Sequence, residues 1–432
     1  MKLNEAIEYI NSKTWSQWRL GLGRTFELLR KVGDPQKELR FVHVAGTNGK
    51  GSTCAMLESI LRASGYKTGM YPSPFIEEFT ERIQVNGVPI TDDALCELTE
   101  IVKEAADSMD DHPSQFEIIT TIGMLYFARM KCDLVVLEVG LGGTYDSTNV
   151  IESPDVCVIT NIGFDHTEYL GRTLAEITSS KAGIIKPGAD VVAYPNVPEV
   201  MNVIKSVCDE KGCRLTVADF EDISILGADL TAQHLRWRGK MDLDLPLVGE
   251  YQARNVAVVL TAIDALIERG WNITEDSIRS GLAAVKWPAR FEVMGTDPVF
   301  ILDGGHNLQC AEAVAESLRK FFPDGGLTLL IGMLADKDYM SVLHTLLPFA
   351  AKCCCVTPDS DRALPAAELA RIVSTDVSLG TVLSDTLPAA AFDSVEEAVR
   401  ECISGTAPVL AFGSLYMAGE VRKAYRKLTG RN

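Results

Sequence analysis

No apolar run in this chain approaches the roughly 20 residues that cross a bilayer as a helix; a helical membrane span is therefore excluded, and neither secretion nor anchoring is expected. The first segment, Met1 to Asn11, has instead the pattern of an amphipathic helix carrying two glutamates. Basic charge is also in short supply. The 41 Lys and Arg face 59 Asp and Glu, a formal charge of −18, which excludes the broad basic surface that general nucleic-acid binding needs. An anionic ligand must then be held by local positive charge. No CxxC pair occurs among the eleven cysteines, three of which are consecutive at Cys353, Cys354 and Cys355. An odd, unpatterned count points to reduced thiols in a cytoplasmic protein. There is no internal repeat and no low-complexity tract. A complete dinucleotide fingerprint is missing as well: after Gly140 and Gly142 the third glycine would have to fall two residues beyond Gly143, with a helix following directly, so NAD is not expected.

What is present is α/β alternation over 432 residues with 47% hydrophobic content, enough for two or three domains. Strand patterns fall at Phe41 to Ala45, Lys67 to Ser73, Asp133 to Val139, Asp155 to Thr160 and Val191 to Tyr194, with helical stretches between them. Asn86-Gly87 marks a hairpin joining Glu81 to Val85 with Val88 to Thr91. A polar antiparallel pair is expected within Leu235 to Leu245, then a helix from near Gln252. A second strand and helix series begins near Val299, after the proline interruptions between Trp287-Pro288 and Pro298. The expected organisation is a mostly parallel P-loop ATPase-type domain over residues 1–295, followed by a smaller Rossmann-like α/β domain over 296–432.

The segment Val44-Ala45-Gly46-Thr47-Asn48-Gly49-Lys50-Gly51-Ser52 reads as strand, glycine turn and helix start. Backbone N–H groups, the Lys50 ammonium and a helix N-terminus together make a phosphate cradle. It departs from the usual P-loop at Val44, where a glycine is wanted, and at Gly51, where a hydroxyl is wanted and is delayed to Ser52. Glu138 ends a buried strand, the position at which open α/β sheets bind ligands, and its carboxylate suits a Mg²⁺ shared with ATP phosphates. His166 lies beyond the end of the next strand, in Asn161-Ile162-Gly163-Phe164-Asp165-His166. Lys181 opens Lys181-Ala182-Gly183 on a helix, where a lysine is ordinarily exposed.

These segments, together with Ser73-Pro74-Phe75, Glu81-Arg82-Ile83, Leu137 to Asn149, Tyr251-Gln252 with Asn255, Arg290-Phe291-Glu292, Asp303 to Asn307 and Gly413 to Tyr416, resemble the folylpolyglutamate synthase and dihydrofolate synthase family of the Mur ligase superfamily. The matches run in family order along nearly the whole chain. The resemblance implies that Gly46, Thr47, Asn48, Gly49, Lys50, Gly51 and Ser52 cradle ATP, and that Ser73, Glu138 and His166 help hold Mg²⁺. It implies that Lys181 is carbamylated, its new carboxylate serving a second Mg²⁺. Asn255, Arg290 and Asp303 match residues that grip adenosine and phosphate, while His306 and Ser414 match positions used for glutamate. Leu20, Gly21, Leu22, Ser114, Gln115, Phe116, Glu117, Tyr145, Asp146 and Ser147 sit where family members meet the pterin or folate substrate. Phe75, Thr144, Tyr251 and Ala289 depart from the commoner pattern, which has histidine, arginine, histidine and glycine.

The reaction so implied is ATP-driven amide formation between a pteroyl carboxylate and the amine of L-glutamate through an acyl phosphate. Small-molecule substrates, a monomer and a cytoplasmic setting are expected. Two other readings compete: a superfamily ligase acting on a cell-wall precursor, and an ATP-dependent regulatory switch.

Overall fold

In the computed structural model, which describes residues 1–12, 21–375 and 387–430, the chain divides into two compact units. The first comprises 1–224, 236–243 and 254–285; the second comprises 225–235, 244–253 and 286–432.

The first unit is built on strands β1 (Phe41–Ala45), β2 (Thr68–Tyr71), β3 (Gln84–Val85), β4 (Val88–Pro89), β5 (Leu134–Glu138), β6 (Val156–Ile159), β7 (Asp190–Ala193) and β8 (Arg214–Val217), in the order β4-β3-β2-β5-β1-β6-β7-β8. Across β2-β5-β1-β6-β7-β8 every pairing is parallel; β3 pairs antiparallel with both β2 and β4. Strands β1 and β5 are buried at every position, as continuous apolar runs in a sheet covered on both faces should be. One core beneath the sheet gathers Leu28, Leu98, Ile118, Phe127 and Val135, and another gathers Cys157, Ile177, Ile184 and Val191. Since β1 lies between β5 and β6, the segments leaving these three strands open at one edge of the sheet, where the strand order reverses.

Asn86 and Gly87, both at positive φ, turn the expected hairpin. Its strands are shorter than the sequence pattern indicates. Phe79–Arg82 is a 3₁₀ turn, because the Glu81 carboxylate accepts from the N–H groups of Ile76, Glu77 and Glu78 and so bends the chain away from the ladder. The amphipathic N-terminal helix runs Leu3–Asn11. A three-stranded antiparallel sheet follows, β9 (Ile223–Ala228), β10 (Gln233–Trp237) and β11 (Met241–Leu245), in the order β11-β10-β9.

The second unit has six strands, β12 (Glu292–Thr296), β13 (Val299–Asp303), β14 (Leu327–Ile331), β15 (Ala350–Cys355), β16 (Ala389–Ala391) and β17 (Val409–Phe412), in the order β12-β13-β17-β14-β15-β16. All are parallel except β12, which forms an antiparallel edge on β13. The Cys353–Cys355 run lies in β15 as buried thiols, and all eleven cysteines are free. No described helix is long and apolar enough to cross a membrane.

Candidate functional site

The glycine turn after β1 is fixed by its neighbours rather than by its own sequence. Thr47 N–H donates to the Asn161 carbonyl at 2.7 Å, and the Thr47 hydroxyl both donates to the Gly163 carbonyl and accepts from the Gly163 N–H at 3.1 Å. Gly49 sits at φ +88 just before the helix Lys50–Ala63, and a Cβ there would lie 2.8 Å from the Asn255 side-chain oxygen. Only glycine meets both demands. Asn255 is thereby placed against the turn. Ser52 and Gly51 are buried in the first turn of the helix.

Two lysines converge on one carbonyl. Lys50 Nζ donates to the Gly46 and Thr47 carbonyls at 3.1 Å, and Lys181 Nζ donates to the Gly46 carbonyl at 2.7 Å. Lys181, at the end of the helix Leu174–Lys181, is only 5% exposed, against the ordinary expectation for a helix lysine. Burial, reinforced by the nearby Lys50 charge, brings its pKa down to about 7, with Asp165 and Asp146 opposing. A neutral, nucleophilic amine is therefore well populated near neutral pH.

On the far side of β1, Ser73 follows β2 and its N–H donates to Glu138 Oε2 at 3.1 Å, which joins two of the three expected metal ligands. Glu138 is 4% exposed. His166 is half-exposed at positive φ, its Nε2 3.9 Å from Asp165 Oδ2. Among the described residues no three His, Cys, Asp or Glu side chains form a metal-binding group; the Ser73 hydroxyl accepts from Arg82 at 3.4 Å.

The segment Gly140 to Asn149, leaving β5, is wedged between β1 and the Ser180-Lys181 end of its helix. Thr144 donates to the Ser180 carbonyl through both N–H and hydroxyl, at 2.8 and 3.0 Å. Asn149 bridges the Thr144 and Gly183 carbonyls. Tyr145 is exposed, whereas Asp146 and Ser147 are buried. The Phe116 ring packs against Gly140, at a distance that a Cβ would reduce to 2.6 Å.

Other substrate-side candidates also make structural contacts. Ser114 caps the helix Gln115–Met130, and Glu117 closes the capping box by accepting from Ser114 N–H at 2.6 Å. Both Glu117 oxygens also receive Arg24 Nε, at 3.2 and 3.1 Å, and one receives the Thr25 hydroxyl. Glu117 thus ties the helix Gly23–Lys31, with Gly21 and Leu22 at its start, to the helix beginning at Gln115. Gln115 donates to Asn11. Leu20 lies outside the described residues.

In the second unit Asp303 ends β13 and its carboxylate accepts from Phe291 N–H at 2.8 Å, Gly305 N–H at 2.7 Å and the Tyr251 hydroxyl at 3.4 Å. Burial raises both the Asp303 and Tyr251 pKa values. Arg290 lies beside Gly304. Gly413 N–H donates to the Gly305 carbonyl, so the segments bearing His306 and Ser414 leave the neighbouring strands β13 and β17 side by side. The Ser414 hydroxyl caps the terminal helix through Tyr416 N–H, and His306 Nδ1 is 3.4 Å from the Gly304 carbonyl.

Sequence reasoning passed over His43 and Arg24. A histidine inside an otherwise apolar buried strand was the available signal for the first.

A glycine turn at a sheet switch point, beside an acidic strand end and a buried lysine, has the parts of a nucleotide site. The comparisons agree: the Mur ligase middle domain matches residues 44–263, and the Mur ligase glutamate ligase domain matches 289–415. The dihydrofolate synthase/folylpolyglutamate synthase of Bacillus subtilis is 34% identical over 432 residues, covering 96% of this chain and 98% of its own. The Mycobacterium tuberculosis folylpolyglutamate synthase structure complexed with ADP superposes with a TM-score of 0.87 at 29% identity, covering 100% of this chain and 98% of that one. The E. coli FolC structure in complex with DHPP and ADP gives 0.84 at 30%, covering 99% and 98%. The chain belongs to the folylpolyglutamate synthase/dihydrofolate synthase family of Mur ligases.

Proposed function

We propose that this chain uses ATP to join L-glutamate to a pteroyl carboxylate, that of dihydropteroate, of folates or of both. The observation that carries the reading is the convergence of Lys50 and Lys181 on the glycine turn that follows β1, in a chain whose relatives have been captured with ADP and DHPP.

In this reading residues 1–295 handle ATP and the pteroyl substrate, and residues 296–432 handle glutamate and carry Asp303, which serves the nucleotide. Gly46 to Ser52 hold the phosphates, with Lys50 exchanging its carbonyl partners for phosphate oxygens. Asn255, Arg290 and Asp303 serve the nucleotide, and His306 and Ser414 the glutamate. Tyr145 to Ser147, Phe116 and the Gly21-Leu22 turn border the pteroyl group. The hydroxyl of Ser73 and the carboxylate of Glu138 are hard oxygen donors suited to Mg²⁺, with His166 completing the set. Bound there, the ion would neutralise charge on the phosphate oxygens. The pKa and burial of Lys181 fit addition of CO₂ to its neutral amine, giving a carbamate anion for a second Mg²⁺.

The chemistry is a sequence of two displacements. The substrate carboxylate attacks the γ-phosphorus and releases ADP; the glutamate amine then attacks the acyl carbon, loses a proton and expels inorganic phosphate. Two anions must meet in the first step. Lys50 offsets their repulsion, and positioning with electrostatics carries the catalysis without a nucleophilic side chain. Incubation with ATP, Mg²⁺, L-glutamate and dihydropteroate, read by mass spectrometry, should yield a product one glutamyl residue heavier. A cell-wall precursor lengthened in its place would refute the assignment.

A further inference from the structure

The residue at the centre of β1, His43, is wholly buried and belongs to none of the groups assigned above. Its Nε2 lies 2.9 Å from the Thr148 hydroxyl oxygen, and that hydroxyl lies 2.5 Å from Asp146 Oδ1. Asp146 Oδ1 also accepts Thr148 N–H at 3.0 Å, and Oδ2 accepts Leu141 N–H at 2.9 Å. Thr148 is likewise fully buried, and Asp146 is 6% exposed. The three side chains form a dry line from the strand that leads into the glycine turn to the segment bearing Tyr145, Asp146 and Ser147.

The line has a direction. Burial raises the Asp146 pKa while the Thr148 hydroxyl and the backbone N–H donors oppose it; in its ionised form the carboxylate only accepts, so the Thr148 hydroxyl donates to Asp146 and its oxygen is left to accept from His43. His43 must then carry its proton on Nε2. Nδ1 agrees: it is buried with no hydrogen-bond partner, which a bare lone pair tolerates better than an N–H would. The ring is held neutral, because burial, with Lys186 adding to it, pushes its pKa down to about 3.

We propose that His43 is a positioning residue for the pteroyl substrate: as an Nε2–H donor acting through Thr148, it holds the Asp146 carboxylate and thereby the Leu141 to Thr148 segment in the substrate-binding arrangement. The backbone donors of Asp146, from Gly140, Leu141 and Thr148, all lie within its own segment, so the Thr148 and His43 side chains are what tie its carboxylate to β1. This deepens the ligase reading and rests on it for the identity of the substrate.

The test uses the full chain and dihydropteroate, with four variants. His43→Leu and Thr148→Val remove the donor and the relay; His43→Gln and Thr148→Ser keep a donor at the same reach and a hydroxyl. Leu and Val should each raise the KM and Kd for dihydropteroate about tenfold, or 1.4 kcal/mol, leaving the KM for ATP within about twofold. Combining them should cost no more than either alone, as for two links of one line. Gln and Ser should recover most of the loss. A fall in kcat with an unchanged dihydropteroate KM, additive effects, or no recovery with Gln would overturn the proposal. Should His43→Leu fail to fold, Thr148→Val and Thr148→Ser decide the question. Nitrogen-15 signals of His43 in the wild type give a readout independent of turnover: a protonated Nε2 and bare Nδ1 support the proposal, and the opposite tautomer overturns it. A wild type that neither binds nor extends dihydropteroate would fail the ligase reading on that control, and the nitrogen signals alone would then decide the donor role of His43.

Discussion

Lys181 Nζ donates to the Gly46 carbonyl across 2.7 Å, so the amine proposed to capture CO₂ is held against the first residue of the glycine turn. Burial of this amine makes the neutral form accessible, and the same burial makes the charged form costly. Activity of decarbonated enzyme should therefore recover on adding bicarbonate. Lys181→Ala should lose at least about 10²-fold in kcat, with partial rescue by acetate. Full activity of the variant at saturating ATP and Mg²⁺ would return Lys181 to a purely structural role.

Glu138 is buried at the end of β5 with Ser73 N–H on its carboxylate. Glu138→Ala should cripple turnover while shifting Tm by only a few degrees, about what a loss near 1 kcal/mol produces. A strongly unfolded variant in circular dichroism would make the carboxylate a packing element first.

Glu117 and Arg24 form a buried pair, 3% and 9% exposed. Removing one partner of such a pair costs about 3–5 kcal/mol, so Glu117→Ala should lower the urea midpoint sharply and raise the KM for the pteroyl substrate. Unchanged stability would show that the pair is solvated in solution.

The His43 pKa gives a pH dependence whose sign is fixed. Its folded value is depressed from 6.5 to about 3, so the unfolded chain binds the extra proton in that window and stability falls as pH drops through it. Between pH 7 and 5 the wild type should lose about 2 kcal/mol relative to His43→Gln, at about 1.4 kcal/mol per pH unit of unmatched titration. Parallel urea denaturation curves for the two proteins at both pH values check this; equal losses would mean that the ring takes up a proton in the folded state.

Contiguous features were legible before the structure was known. The glycine turn, the Asn86-Gly87 hairpin and the acidic end of β5 each announce themselves within a few residues, because local backbone conformation dictates the residue types. What escaped depends on partners distant in the chain. The role of Glu117 is set by Arg24, 93 positions away, and the depressed pKa of Lys181 by its burial and the charge of Lys50, which lies far back in the chain. Edge strands were missed for another reason. β8 shows mostly exposed residues and β12 is mostly half-buried, so neither carries the apolar run that marks the central strands.

The central claim is coupled ligation, and the direct measurement is ADP release with each co-substrate omitted in turn. With Mg²⁺, L-glutamate and a panel of dihydropteroate, dihydrofolate and tetrahydrofolates, ADP should form only when a pteroyl acceptor and glutamate are both present, in step with a glutamylated product. ADP released at the same rate without acceptor or without glutamate would contradict it and favour a nucleotide-driven switch.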